Sequence, residues 1–173
     1  MTQDEIRLRA VYLFLACSNA LKQCEARLLP TVPVVAEETK RSVGVALRKE
    51  LGLLFRYWAT RQIWERLSSE TDAKHFNLAL LRLFTDGFHL PRDGSGLRYA
   101  ELSTTAEEAR ELSERISHAL GQECRPLIAE LQGAILSWRD AIVKYTTDAL
   151  ELPLDQLSSS VQGWAERMPE NNG

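Results

Sequence analysis

An all-α helical bundle of five to six helices is what this sequence predicts, and three observations point there. Apolar residues recur at spacings of three and four over long stretches, the period of one helical face. Glycine and proline are sparse, at 9 and 6 in 173 residues, and most fall where those stretches end. Only residues 88–102 carry turn chemistry, which leaves little room for strands. We predict a single domain over residues 1–168 and a polar tail over 169–173. A chain of this length buries roughly 70% of its unfolded surface, so it needs no metal or disulfide to stay folded.

The first helix runs from about Thr2, a capping residue followed by Asp4 and Glu5, to Leu29, where Pro30 stops it. Its core stripe is Ile6, Ala10, Leu13, Cys17, Ala20, Cys24 and Leu28. Leu8, Val11, Tyr12 and Leu15 make the opposite side apolar as well. That part is therefore either sandwiched between layers or turned to a partner.

The second helix begins after Pro30-Thr31-Val32-Pro33, with Thr31 as its cap, and runs to about Leu67. Gly44 or Gly52 is a place for it to break. Val43, Leu47, Leu51, Leu54 and Trp58 fall within a sector of about 80°, and Leu53, Tyr57 and Trp64 form a second cluster turned about 90° away. Stripes of this kind are mostly packing, so we expect Tyr57, Trp58 and Trp64 in the core. Arg61 and Glu65 sit four apart, where they can pair at the bundle's end. The alternative is a ligand pocket lined by Tyr57, Trp58, Arg61 and Glu65.

The third helix covers Asp72 to Asp86, with Gly87 as the residue that ends it. Residues 88–102 follow as a short loop or β-hairpin excursion around Asp93-Gly94-Ser95-Gly96. Ser103 to Thr105 cap the fourth helix, and Glu107 and Glu108 fill its first turn. Its stripe of Ala109, Leu112, Ile116 and Ala119 is narrow, so one face stays in water. The fifth helix runs from Arg125 or Pro126 to Leu152, with Leu127, Leu131, Ile135, Trp138, Ile142, Tyr145 and Ala149 on its face. Pro153 opens the sixth, which carries Leu154, Leu157, Val161, Trp164 and Met168. The long first, second and fifth helices form the frame.

Lys and Arg number 21 against 24 Asp and Glu, a net charge of -3. That disfavours a protein built to coat nucleic acid, whose pI would exceed about 9. Cys17, Cys24 and Cys124 are an odd set. The first two lie about 10.5 Å apart along one helix axis, beyond the ~7 Å that a disulfide spans. Free cysteines suit a reducing, cytoplasmic setting. The apolar run Ala10 to Cys17 is far short of the ~20 residues of a membrane span, and Asp4 and Glu5 precede it where a signal peptide carries positive charge. We therefore expect no membrane association.

Motifs with chemistry are few. His75, His89 and His118 make no His-Glu-x-x-His. His118 follows Glu114 and Glu111 at helical spacing, which reads as a solvated face, so no metal or cofactor is expected. Arg82 and His89 in RLFTDGFH resemble the Arg-and-His signature of HEPN-type RNases. The resemblance implies an all-α dimer in which His89 acts as general base on a ribose 2′-hydroxyl and Arg82 stabilises phosphate charge. Leu83 and Gly87 depart from that pattern. YWATRQIWERLSSET, at residues 57–71, is similar to the central region of RuBisCO assembly chaperones, which implies a small non-enzymatic dimer. That similarity covers a quarter of the chain.

These readings converge on a non-enzymatic helical protein-interaction module: a homodimer, or a small subunit or assembly factor of a larger complex. Its interface candidates are Leu8, Val11, Tyr12, Leu15 and Trp164. The first alternative is a HEPN-like RNase or a bundle that binds a small ligand in a polar pocket. The second is an accessory nucleic-acid-binding subunit. It is not favoured, because Lys40, Arg41, Arg48, Lys49, Arg56, Arg61 and Arg66 scatter around the second helix.

Overall fold

A computed structural model describes residues 1–32, 37–92 and 96–167, apart from the side chains of residues 165 and 167. Seven α-helices and no strand occur among them: α1 Gln3–Leu28, α2 Glu37–Arg66, α3 Glu70–Phe88, α4 Leu97–Ala100, α5 Thr105–Leu120, α6 Arg125–Glu151 and α7 Leu154–Arg167. The bundle class stands, with seven helices instead of five to six. The polar tail and Asp93-Gly94-Ser95 lie outside the described residues.

Local chemistry sets most of the boundaries. The Thr2 side chain accepts the Glu5 N–H at 3.1 Å and so caps α1. Ser69 does the same for α3 through Asp72. Thr104 and Glu107 close a full capping box on α5, and Gly121 ends that helix in a left-handed conformation. Thr31 does not cap α2 as expected. It closes a 3₁₀ turn after α1, and its hydroxyl donates to the Leu28 carbonyl at 2.6 Å.

Three glycines neither break nor end a helix where the sequence suggests it. α2 passes through Gly44 and Gly52 without a break. Gly52 leaves room for Leu90, whose side chain would stand 3.4 Å from a Cβ there. Gly87 does not end α3. It lies inside the helix, and a Cβ at that position would meet the Phe14 ring at 2.4 Å. The residue after α3 is instead His89, which takes the left-handed conformation at φ 52°.

α1 lies at the centre, packed on α3, α6 and α7, while α2 packs on α3, α5 and α6. The two apolar sides of α1 are thus sandwiched within the chain. Tyr12 is buried, and its ring meets Trp164 of α7 with centroids 5.1 Å apart. Tyr12 is consumed inside the fold, a correction to its place on an outer interface, while Trp164 is half-buried against the core. Leu8, Val11 and Leu15 are half-buried, and Leu8 packs against the core.

The predicted aromatic core of α2 also needs correcting. Trp58 and Phe55 are buried and stacked, 5.7 Å between centroids. Tyr57 is only half-buried, and Trp64 is 45% exposed. The phase drift places this second cluster on the face shared with α3, where α2 is not covered along its whole length.

Cys17, Cys24 and Cys124 are buried and free. Burial raises the Cys17 and Cys24 thiols, the second to about 12, which keeps both protonated and inert.

One buried acid costs the fold stability. Glu108 of α5 is 2% exposed, and neither its Oε2 nor the Trp58 indole nitrogen completes a hydrogen bond of normal geometry. Burial raises its pKa above 4.5, while Trp58, Arg139 and Arg61 pull it partly back. The folded state therefore favours the neutral form. The associated stability is present below pH 4.5 and is lost as pH rises through the raised value. Glu108→Gln should raise stability at pH 7 by roughly 0.5–1.5 kcal/mol. The gain should disappear below pH 4.5 when melting temperature is followed against pH. A gain that persists at low pH would show that charge is not its cause.

Candidate functional site

A concavity of about 580 Å³ lies between α2 and α3, bounded at one end by Pro91, Arg92, Gly96, Leu97 and Ala100. That is within the ~300–1,000 Å³ typical of small-molecule sites. α2 contributes Leu53, Arg56, Tyr57 and Thr60, one stripe of its wheel. α3 contributes Leu78, Leu81, Arg82 and Thr85. The end wall holds Arg92, Gly96 and Leu97.

The end wall is held by charge. Tyr99 of α4 is fully buried, and its hydroxyl donates to Glu50 of α2 at 3.2 Å. Arg98 also bonds Glu50 and approaches Glu111 of α5 at 3.6 Å, and Glu111 is in turn 2.8 Å from Arg115. One helical turn is too short to be stable alone, so this network fixes α4 in place. Among the described residues of the excursion there is no strand, and it ends in the helical turn α4. Burial, and then the Glu50 charge, push the Tyr99 phenol well above its usual range. At Gly96 a Cβ would stand 2.9 Å from the Arg56 guanidinium, so the absence of a side chain lets that group lie close to the backbone.

Three guanidiniums therefore line one cavity from three chain segments: Arg56, Arg82 and Arg92. None of the thirteen described lining residues is acidic. Arg9 pairs with Glu5, Arg27 with Glu130, Arg48 with Glu25 and Arg61 with Glu65. Leu78, Leu81 and Leu97 are 45%, 39% and 68% exposed. Of the eight exposed large apolar side chains among the described residues, these three gather here. An arginine set beside wet leucines suits a ligand that carries negative charge on apolar mass.

The expected pocket residues divide. Tyr57 and Arg82 line the cavity. Trp58 is core, and Arg61 and Glu65 pair with each other at 2.9 Å without lining it. His89 is exposed just beyond α3 and is not a lining residue. Glu111 is engaged by Arg98 and Arg115, which removes it from the row leading to His118. The described residues bring together no group of three metal-ligating side chains, and no described helix is long and apolar enough to cross a membrane.

Sequence reasoning missed Arg56, Arg92, Leu78, Leu81 and Leu97. A signal for α3 was present. Leu78 and Leu81 fall off the Ala73, Phe76, Leu80, Phe84 stripe that the core uses. Arg92 and Leu97 carried none, because their placement depends on how the end wall folds back. Comparison with protein-family models, curated proteins and solved structures finds no match to this chain.

Proposed function

We propose that this chain is a non-enzymatic binding protein for an anionic ligand, and that the α2–α3 cavity is its working site. The observation that carries this reading is the meeting of Arg56, Arg82 and Arg92 in one concavity, in a chain that is acidic as a whole. Guanidinium groups bind carboxylate and phosphate through paired hydrogen bonds, and a partly enclosed site strengthens that attraction. The protein-interaction reading moves with it. Leu78, Leu81 and Leu97 give the cavity rim exposed apolar surface, and a partner or second copy would seat there.

Thermal unfolding with added sulfate or pyrophosphate, against chloride at equal ionic strength, tests the reading. The folded state should be stabilised as sites fill, by about 2.7 kcal/mol at one hundred times the dissociation constant. Arg82→Gln with Arg92→Gln should remove most of that response. An equal response in the double variant would refute the assignment.

A second reading takes Arg82, which lines the cavity, together with His89, exposed just past the end of α3. Together with Arg56 and Arg92, they form a set that would hold a phosphodiester beside a general base. His89→Ala would then abolish RNA cleavage while leaving anion binding intact. Absence of cleavage by the wild-type protein ends this reading and leaves the first standing.

A further inference from the structure

We infer that the cavity's ligand is an amphipathic organic anion, with a carboxylate or phosphate head held by the arginines and an apolar tail laid between α2 and α3. The inference rests on the anion-binding reading of the same cavity and adds the part of the ligand that reading leaves open. Charge alone explains Arg56, Arg82 and Arg92. It does not explain why Leu78, Leu81 and Leu97 stand 45%, 39% and 68% exposed around them. A bare inorganic anion would leave all three in water. A tail would cover them and would also reach Leu53, a buried residue that lines the same cavity.

The order of residues along the two helices sets the ligand's direction. α2 and α3 are joined by a short turn at residues 67–69, so they run antiparallel. Leu53 and Arg56 of α2 therefore lie at the level of Arg82 and Thr85 of α3, beside the end wall with Arg92. Thr60 lies nearer Leu78, toward the connecting turn. Trp64 continues the Tyr57 stripe one turn beyond Thr60 and is itself 45% exposed. The head thus belongs at the Arg82–Arg92 end, and the tail points toward Leu78 and Trp64. The end wall is fixed in advance by the Glu50–Arg98–Tyr99 network, so binding does not have to order it.

Calorimetric titration of the full chain with three sets of probes, all below their micelle concentrations, tests the inference. The first set is a series of straight-chain carboxylates and alkyl phosphates from four to twelve carbons. The second is inorganic phosphate and acetate, heads without tails. The third is the matching neutral alcohols, tails without heads. Affinity should rise about fourfold for each methylene until the groove is filled, at one ligand per chain. Arg82→Gln with Arg92→Gln should weaken the long anions at least tenfold, and Leu78→Ser should flatten the length dependence while short anions bind as before. The carboxylate and phosphate arms separate the two sources of the head. If inorganic phosphate binds as tightly as its long-chain ester, the tail inference is overturned and the anion reading survives. If the alcohols bind as tightly as the anions, or the double arginine variant binds normally, both fail.

Discussion

Phe84→Ala is expected to be the most damaging single truncation among those the fold singles out, costing about 3–5 kcal/mol. Phe84 is fully buried where α3 meets α1. Its ring meets Phe14 edge-on at 5.5 Å and Phe88 at 5.4 Å, and Phe14 and Phe88 are 5.3 Å apart. The three rings form one closed cluster. Gly87 forms its tight side, because nothing larger fits beneath the Phe14 ring. Removing the central ring leaves a void that Phe14 cannot fill without abandoning its place over Gly87. For a domain with total stability of about 5–15 kcal/mol, that is a large fraction. Urea unfolding followed by circular dichroism measures the loss. A cost below about 1 kcal/mol would mean that the neighbouring rings close the gap and that the cluster is not the anchor described.

The same substitution should reach the cavity. Arg82 and Thr85 stand on the face of α3 turned toward α2, while Phe84 secures that helix to α1. A looser α3 widens the groove and lets the Arg82 head wander. Anion affinity should fall even at temperatures where the variant remains folded. Positioning of this kind is sensitive to displacements of about 1 Å.

How far the sequence revealed the molecule depended on the range of the interactions involved. Helix existence was legible because the Ile6 to Leu28 and Leu127 to Ala149 stripes repeat over many turns. The caps at Thr2 and Thr104 were legible because a hydroxyl and an amide three residues apart settle them locally. What could not be read was which apolar face would find a cover. The sides of α1 and the Tyr57–Trp64 cluster of α2 look alike as patterns. α7 folds back over Tyr12, whereas no described element fully covers Trp64. The candidate site was half legible for the same reason. Tyr57 and Arg82 could be named from their own helices. Their meeting with Arg92 and Leu97 depends on Glu50 drawing in Arg98 and Tyr99, residues 48 and 49 positions further along the chain.

The largest electrostatic effect is expected at Arg9, the residue that holds α7 in place over α1. Arg9 is 8% exposed, a depth at which a guanidinium needs to be paired, and its surroundings supply the partners. Glu5, one turn earlier, lies 3.1 Å away, and Nη1 donates to the carbonyls of Ala149 and Leu152 at 3.0 Å each. Those carbonyls close α6, where the helix dipole is negative, so one cation satisfies two backbone acceptors and the dipole together. Arg9→Met keeps much of the apolar stem and removes only the head. The cost should be about 2–4 kcal/mol, since each bond to a charged donor contributes roughly 1.5–3 kcal/mol and the two are not independent. Arg9→Lys should fall between the two, because a single ammonium cannot reproduce the planar fork. The loss should be local before it is global. Hydrogen exchange should quicken first around residues 149–157, and the Tyr12–Trp164 contact should loosen while the α2–α3 cavity keeps its anion response. An Arg9→Met protein as stable as the wild type, with α7 equally protected, would show that the rings and not the guanidinium hold the last helix down.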